Sequence, residues 1–93
     1  MNPEEARELS LRLELPELVG TALEIQEAEL IRADKLKQIP FFEVKANWEM
    51  FMTELENTGY HDNSLQLLRQ SDVAQFWIKY RELDFWELLK LFQ

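Results

Sequence analysis

The stretch from Asp72 to Phe92, DVAQFWIKYRELDFWELLKLF, constrains the fold of this chain most, because it contains no glycine and no proline. It carries Phe76, Trp77, Tyr80, Phe85, Trp86 and Phe92, six of the eleven aromatic residues. Aromatic side chains bring the largest apolar areas to a small core, so the remaining chain is expected to pack against this stretch. At about 100° per residue, Val73, Phe76, Trp77, Tyr80 and Leu83 share one arc, with Gln75, Lys79 and Glu82 opposite. Beyond Asp84 the phase changes, and Phe85, Leu88, Leu89 and Phe92 cluster on another side. One long helix buried on both faces accounts for this, and it is the reading adopted. The alternative is a break near Leu83-Asp84, where Asp84 and Glu87 have the spacing of a capping box. Ser71 or Asp72 is the expected N-cap of the stretch, with Gln75 placed to complete a box with Asp72.

The other segments are also helical in pattern. Asn2 is a candidate cap, Pro3 suits a first helical turn, and Glu4 and Glu5 meet the positive end of the helix dipole. Leu9, Leu11, Leu13 and Leu15 alternate with polar residues, which is a strand signal. Helix is preferred, because Leu, Glu and Arg are good helix formers and no second such run exists to pair with it. Pro16 is expected to end that helix and open another over 17–38, with Leu18, Val19, Ala22, Leu23, Ile25, Leu30, Ala33 and Leu36 on its apolar arc. Glu29 falls at the edge of this arc, either paired with Arg32 or reaching water, or else partly buried with a raised pKa.

After Pro40 a third helix is expected over 41–56, with Phe41, Val44, Trp48, Phe51, Met52 and Leu55 as a core stripe. Phe42, Ala46 and Met50 form a second apolar line at i, i+4, i+8. Burial of this line against a neighbouring helix is the default, and exposure as a contact patch the alternative. Asn57-Thr58-Gly59 reads as a stop, with Gly59 suited to the left-handed position after a helix. Asn63 or Ser64 then caps a short helix to about residue 70. The expected fold is all-α: residues 1–93 as a single compact bundle of four to five helices, with the C-terminal aromatic-rich helix central.

Ninety-three residues suffice for one hydrophobic core. Two glycines and three prolines are too few for the turns of an all-β fold. There is no cysteine, which removes disulfides and thiolate metal sites and fits a reducing, cytoplasmic location. The acidic opening is not expected to be a signal peptide, and no apolar run is long enough to cross a bilayer. The net charge of −8 is uneven: residues 1–30 carry −6, residues 31–39 carry +2, residues 40–63 carry −4 and residues 64–93 balance. Such a field disfavours nucleic acid and anionic membrane and attracts cationic partners, although the acids could also serve only solubility.

Few residues suggest chemistry. Gly20 and Gly59 are the two glycines, so no phosphate-cradling loop can be built. One histidine leaves no paired His ligands, and Glu24, Glu27 and Glu29 lack the Glu-x-x-His partners of a di-iron site. These three are read as a solvated face. His61 beside Asp62 could be a base with its orienter, with Ser64, Ser71 or Thr58 as nucleophile, but a polar surface loop is the simpler reading. Trp77, Tyr80 and Trp86 could stack on bases, but at helical spacing they read as core.

The expectation is therefore a non-enzymatic protein-interaction module of inhibitor, antidote or regulatory type, without catalytic residues, metal or cofactor. Its acidic helices would meet a partner protein with a basic surface, with no direct nucleic-acid or membrane contact. The candidate contacts are Glu24, Glu27, Glu49, Glu54 and Glu56, with the apolar Phe42 and Met50. Two alternatives stand beside it. One is a homodimer joined through the Phe42-Ala46-Met50 line or the Trp86 face. The other is a helix-turn-helix over 64–83 that meets phosphates through Arg69, Lys79 and Arg81.

Overall fold

The computed structural model describes residues 2–40, 45–60 and 62–92, with the side chain of Asp62 also outside the description. Among the described residues six α-helices run in order: α1 (Pro3–Arg12), α2 (Ala22–Leu36), α3 (Lys45–Asn57), α4 (Asp62–Arg69), α5 (Ala74–Lys79) and α6 (Phe85–Lys90). The protein is all-α, and among the described residues there is no strand beyond a single isolated bridge. The Cα radius of gyration is 12.9 Å, close to the roughly 12 Å of a folded chain this long.

Six helices rather than four or five arise because the Asp72–Phe92 stretch is two helices, not the continuous one preferred from its sequence. Asp84 caps α6: its carboxylate accepts the Glu87 N–H at 2.8 Å, and the Glu87 side chain accepts the Asp84 N–H at 3.2 Å. This reciprocal pair satisfies two free donors at once. The change of phase after Asp84 is thus a change of helix. The start of α5 also differs from the expectation. Its N-cap is Val73, without a side-chain cap bond, and Gln75 donates instead to Glu24 of α2 at 2.6 Å.

Local chemistry accounts for the other helix ends. Asn2 caps α1 by accepting the Glu5 N–H at 2.8 Å, with Pro3 in the first turn. Two helices end in the same hydrogen-bonding pattern with different residues. At the end of α3, Tyr60 N–H donates to Leu55 O and Gly59 N–H to Glu56 O, with Gly59 at φ 84°. At the end of α1, Leu15 N–H donates to Ser10 O and Glu14 N–H to Leu11 O, with Glu14 at φ 56°. Both are Schellman endings. Glycine adopts the left-handed conformation freely, whereas glutamate there costs about 1–2 kcal/mol. Of the alternating leucines, Leu9 and Leu11 therefore belong to a helix that stops at Arg12, and Leu13 and Leu15 follow its end, short of Pro16.

The second helix starts at Ala22 rather than Glu17, because Thr21 and Glu24 form a capping box. Residues 13–21 are a non-helical linker, held at three places. Arg69 of α4 donates to Leu13 O at 2.7 Å, and Arg32 of α2 donates to Pro16 O at 2.7 Å. Val19 makes a parallel bridge around Val73, donating to Asp72 O at 2.7 Å and accepting from Ala74 N–H at 2.9 Å. A Cβ added to Gly20 would lie 3.1 Å from the Ala74 Cβ, so the absence of a side chain lets the linker lie close to α5. Val19 and Leu23, expected on a buried helical arc, are exposed as a result.

Two chains of rings fill the core. One runs Trp48–Phe51–Phe85–Trp86–Tyr60, with centroid separations of 5.9, 6.0, 5.1 and 5.6 Å in turn. The other centres on Phe76, with Trp77 and Tyr80 each at 5.2 Å and Phe92 at 5.9 Å. These are favourable tilted and edge-on arrangements. Trp77 and Phe85 are fully buried, and the Trp77 ring N–H donates to Ser71 O at 3.0 Å. The C-terminal aromatics are thus core, as their spacing implies, although two short helices carry them.

Candidate functional site

The candidate contacts divide between two helices. On α3, Phe51 and Leu55 are buried and Trp48 and Met52 half-buried, so the opposite side of the helix faces water. On that side Ala46, Met50, Thr53 and Asn57 form a shallow groove with Glu49 and Glu54. Met50 is 72% exposed. A long apolar side chain in this position contributes nothing to the core and is available to a partner. The second apolar line is therefore exposed at Ala46 and Met50, rather than buried as its default reading has it. Phe42 lies outside the described residues. Glu56 is exposed on the same helix and lies on the flank occupied by Glu49, given its helical phase.

The two candidates on α2 are engaged in the fold. Glu24 accepts the Thr21 N–H at 2.9 Å and the Gln75 amide at 2.6 Å. The Thr21 backbone N–H, then the Gln75 amide, then the Thr21 side chain hold its carboxyl below the usual carboxylate range. Glu24 thus fastens the start of α2 to α5. Glu27 lies 3.6 Å from Arg81, which also pairs with Glu82 at 3.8 Å. Both pairs are exposed, where ion pairs add little. The structure therefore brings Met50, Glu49 and Glu54 together and assigns Glu24 and Glu27 to a different helix and other contacts.

The residues proposed for other chemistry fall as follows. Arg69 donates to the Leu13 carbonyl, Arg81 pairs with two glutamates, and Lys79 is exposed beside the Tyr80 ring at 5.3 Å. Trp77 is fully buried in the short α5. His61 and the side chain of Asp62 lie outside the described residues. Among the described residues, no three His, Asp or Glu side chains cluster as metal ligands, and no helix is long and apolar enough to cross a membrane.

Sequence reasoning missed the buried charge. Arg32, only 3% exposed, donates to Pro16 O at 2.7 Å and to the Ser10 hydroxyl at 3.3 Å. Ser10 in turn donates to Ala6 O at 3.0 Å. Burial lowers the Arg32 pKa, and the charge of Glu29 opposes that shift. No carboxylate among the described residues lies within ion-pair distance of Arg32, so of the outcomes expected for Glu29 the pairing with Arg32 is absent, and its side chain is half-exposed. The available signal was the helical phase of Arg32 beside Ala28, Ala33 and Leu36, all buried.

Comparisons of the chain with protein-family models, characterised proteins and solved structures find no significant match.

Proposed function

We propose that this protein is a non-enzymatic interaction module that docks a basic partner protein on the outer face of α3. The observation that carries this reading is Met50, 72% exposed between Glu49 and Glu54 on the side of the helix turned from the core. An apolar side chain rimmed by carboxylates suits a partner surface with an apolar contact ringed by Lys or Arg. Desolvating the centre supplies affinity, and the charges supply orientation and on-rate. The net charge of −8 adds long-range attraction of the same sign. An inhibitor, antidote or regulatory role in the cytoplasm follows as the class of action, and the absence of cysteine fits that compartment.

The test is capture of partners on the immobilised chain at about 0.1 M and about 1 M salt, between which the screening length falls from about 10 to about 3 Å. The wild type is expected to lose its partner at high salt. Glu49→Gln/Glu54→Gln is expected to weaken capture at low salt, and Met50→Asp to abolish it despite the added negative charge. Capture indifferent to all three changes would remove the reading.

A second reading rests on the same exposed line: Ala46 and Met50 could join two copies of the chain. Light scattering at high concentration separates the two, because a monomeric mass excludes the homodimer. The phosphate-binding alternative has less support, since Arg69 and Arg81 are engaged within the chain and the region is neutral overall.

A further inference from the structure

Between α1, the linker and α2 lies a hollow of about 370 Å³, inside the range of about 300–1,000 Å³ typical of small-molecule sites. Leu11, Leu15, Leu18 and Ile25 give it apolar walls, and Arg32 forms part of the same lining. The guanidinium is what separates this hollow from a packing defect. It is almost wholly buried, and its Nε–H has no acceptor among the described residues. A buried donor left unbonded is costly, and more so when it carries charge.

The charges around the hollow are Arg7 and Arg32 against Glu17 and Glu29, so depth decides its sign. Glu17 is exposed and Glu29 half-exposed, which leaves both screened by water. Arg32 lies in the interior, where the same unit charge acts several times more strongly. A guest meeting Arg32 therefore encounters a positive charge with no carboxylate of the described residues within ion-pair distance, and hydrocarbon walls. The Arg32–Ser10 bond, at 3.3 Å, is long and easily exchanged. A carboxylate accepting from Nη2 would replace it with a stronger, charge-assisted bond, while Ser10 keeps its bond to Ala6 and Nη1 its bond to Pro16.

We propose that the α1–α2 hollow is a binding site for a small monocarboxylate with an apolar body, its carboxylate held by Arg32 and its hydrocarbon by Leu15, Leu18 and Ile25. This does not depend on the α3 face or on any protein partner.

The test is titration of the full chain with hexanoate, followed by N–H NMR that includes the arginine Nε–H signals. Hexanoate is expected to produce saturable shifts in the Arg32 Nε–H and in the amides of residues 10–18 and 25–32. Hexanol and hexylamine should bind at least about tenfold more weakly, because neither can accept a charge-assisted pair. Acetate should also bind more weakly, for want of hydrocarbon. Arg32→Met is expected to abolish the preference for hexanoate over hexanol. Since that variant alters a buried residue, Leu11→Glu provides a second test at a position 74% exposed. It places a carboxylate on the wall of the hollow and should weaken hexanoate by a larger factor than hexanol, since only hexanoate meets the added charge as well as the lost hydrocarbon. Equal binding of hexanoate and hexanol, acetate binding as well as hexanoate, shifts confined to other surfaces, or no saturable shift would each overturn the proposal.

Discussion

The two sides of this small core are closed by different means. Toward α3, α5 and α6, rings pack in tilted and edge-on pairs, with Phe85 between Phe51 and Trp86. Toward α1 and α2, a guanidinium spans the gap, bonding one carbonyl of the linker and one hydroxyl of α1 above a hollow. The aromatic side gains from area and dispersion, which require only that the rings fill the space. The arginine side gains fewer contacts but satisfies Pro16 O, which a purely apolar closure would leave bare. A chain of this length can thus combine a dry half, which supplies stability, with a polar half, which retains space.

The largest expected effect tests the aromatic side. Phe85→Ala should destabilise the protein by about 3–5 kcal/mol in urea unfolding, since its fully buried ring contacts two others. A loss under about 1 kcal/mol would mean that this side is not the dry core described.

On the other side, the comparison is sharpened by a pair of variants. Arg32→Ala should cost about 1–3 kcal/mol, because it leaves Pro16 O unbonded and removes packing. Arg32→Met, of similar length and without charge, should cost less, because an apolar replacement of a buried ionic group is often close to neutral. A loss in Arg32→Met as large as in Phe85→Ala would show the guanidinium to be as essential as the rings.

Smaller effects are expected at the helix ends. Asp84→Ala should cost about 1 kcal/mol by removing the cap of α6. Glu14→Gly should be neutral or stabilise by up to about 1 kcal/mol, because relief of the left-handed strain is partly offset by the greater freedom of glycine in the unfolded chain. A clear loss at Glu14→Gly would assign its side chain a role beyond ending α1.

The smallest expected effect is a pH dependence. The carboxyl of Glu24 is depressed in the folded state by its bonds to Thr21 and Gln75. Its contribution is therefore complete above the unfolded pKa and is lost as pH falls through the lower folded one. Stability should decline below the ordinary carboxylate range, and Glu24→Gln should make that part of the decline shallower. An unchanged pH profile in Glu24→Gln would show that the tie between α2 and α5 carries no titrating component. Met50→Asp, which touches neither side of the core, should leave stability within about 0.5 kcal/mol of wild type.

Much of the helical plan was legible in residue order. The Asn2 cap, the stop at Gly59, the Trp48 stripe and the aromatic core each depend on neighbours within a turn or two. The box at Asp84 is equally local, yet Asp and Glu also meet at that spacing by chance, so the spacing alone does not separate a break from a continuous helix. The candidate site was less legible. Helical phase placed Glu49, Glu54 and Met50 on α3 but could not say which side of that helix the rest of the chain would cover. It also offered Glu24 and Glu27 as free carboxylates, when Gln75 and Arg81, distant in sequence, engage both.

The sequence alone determined that this chain is helical, that its late aromatics form the core and that its outer charge is negative, because periodicity and composition act over short distances. Tertiary structure alone decided that residues 13–21 leave the helix, that Arg32 is buried without a carboxylate of the described residues to pair with and that Met50 is exposed. Each depends on groups far apart along the chain: Arg69 and Arg32 reaching linker carbonyls, and Gly20 admitting Ala74. Such meetings are set by how the layers close, and residue order encodes that closure only through the fold.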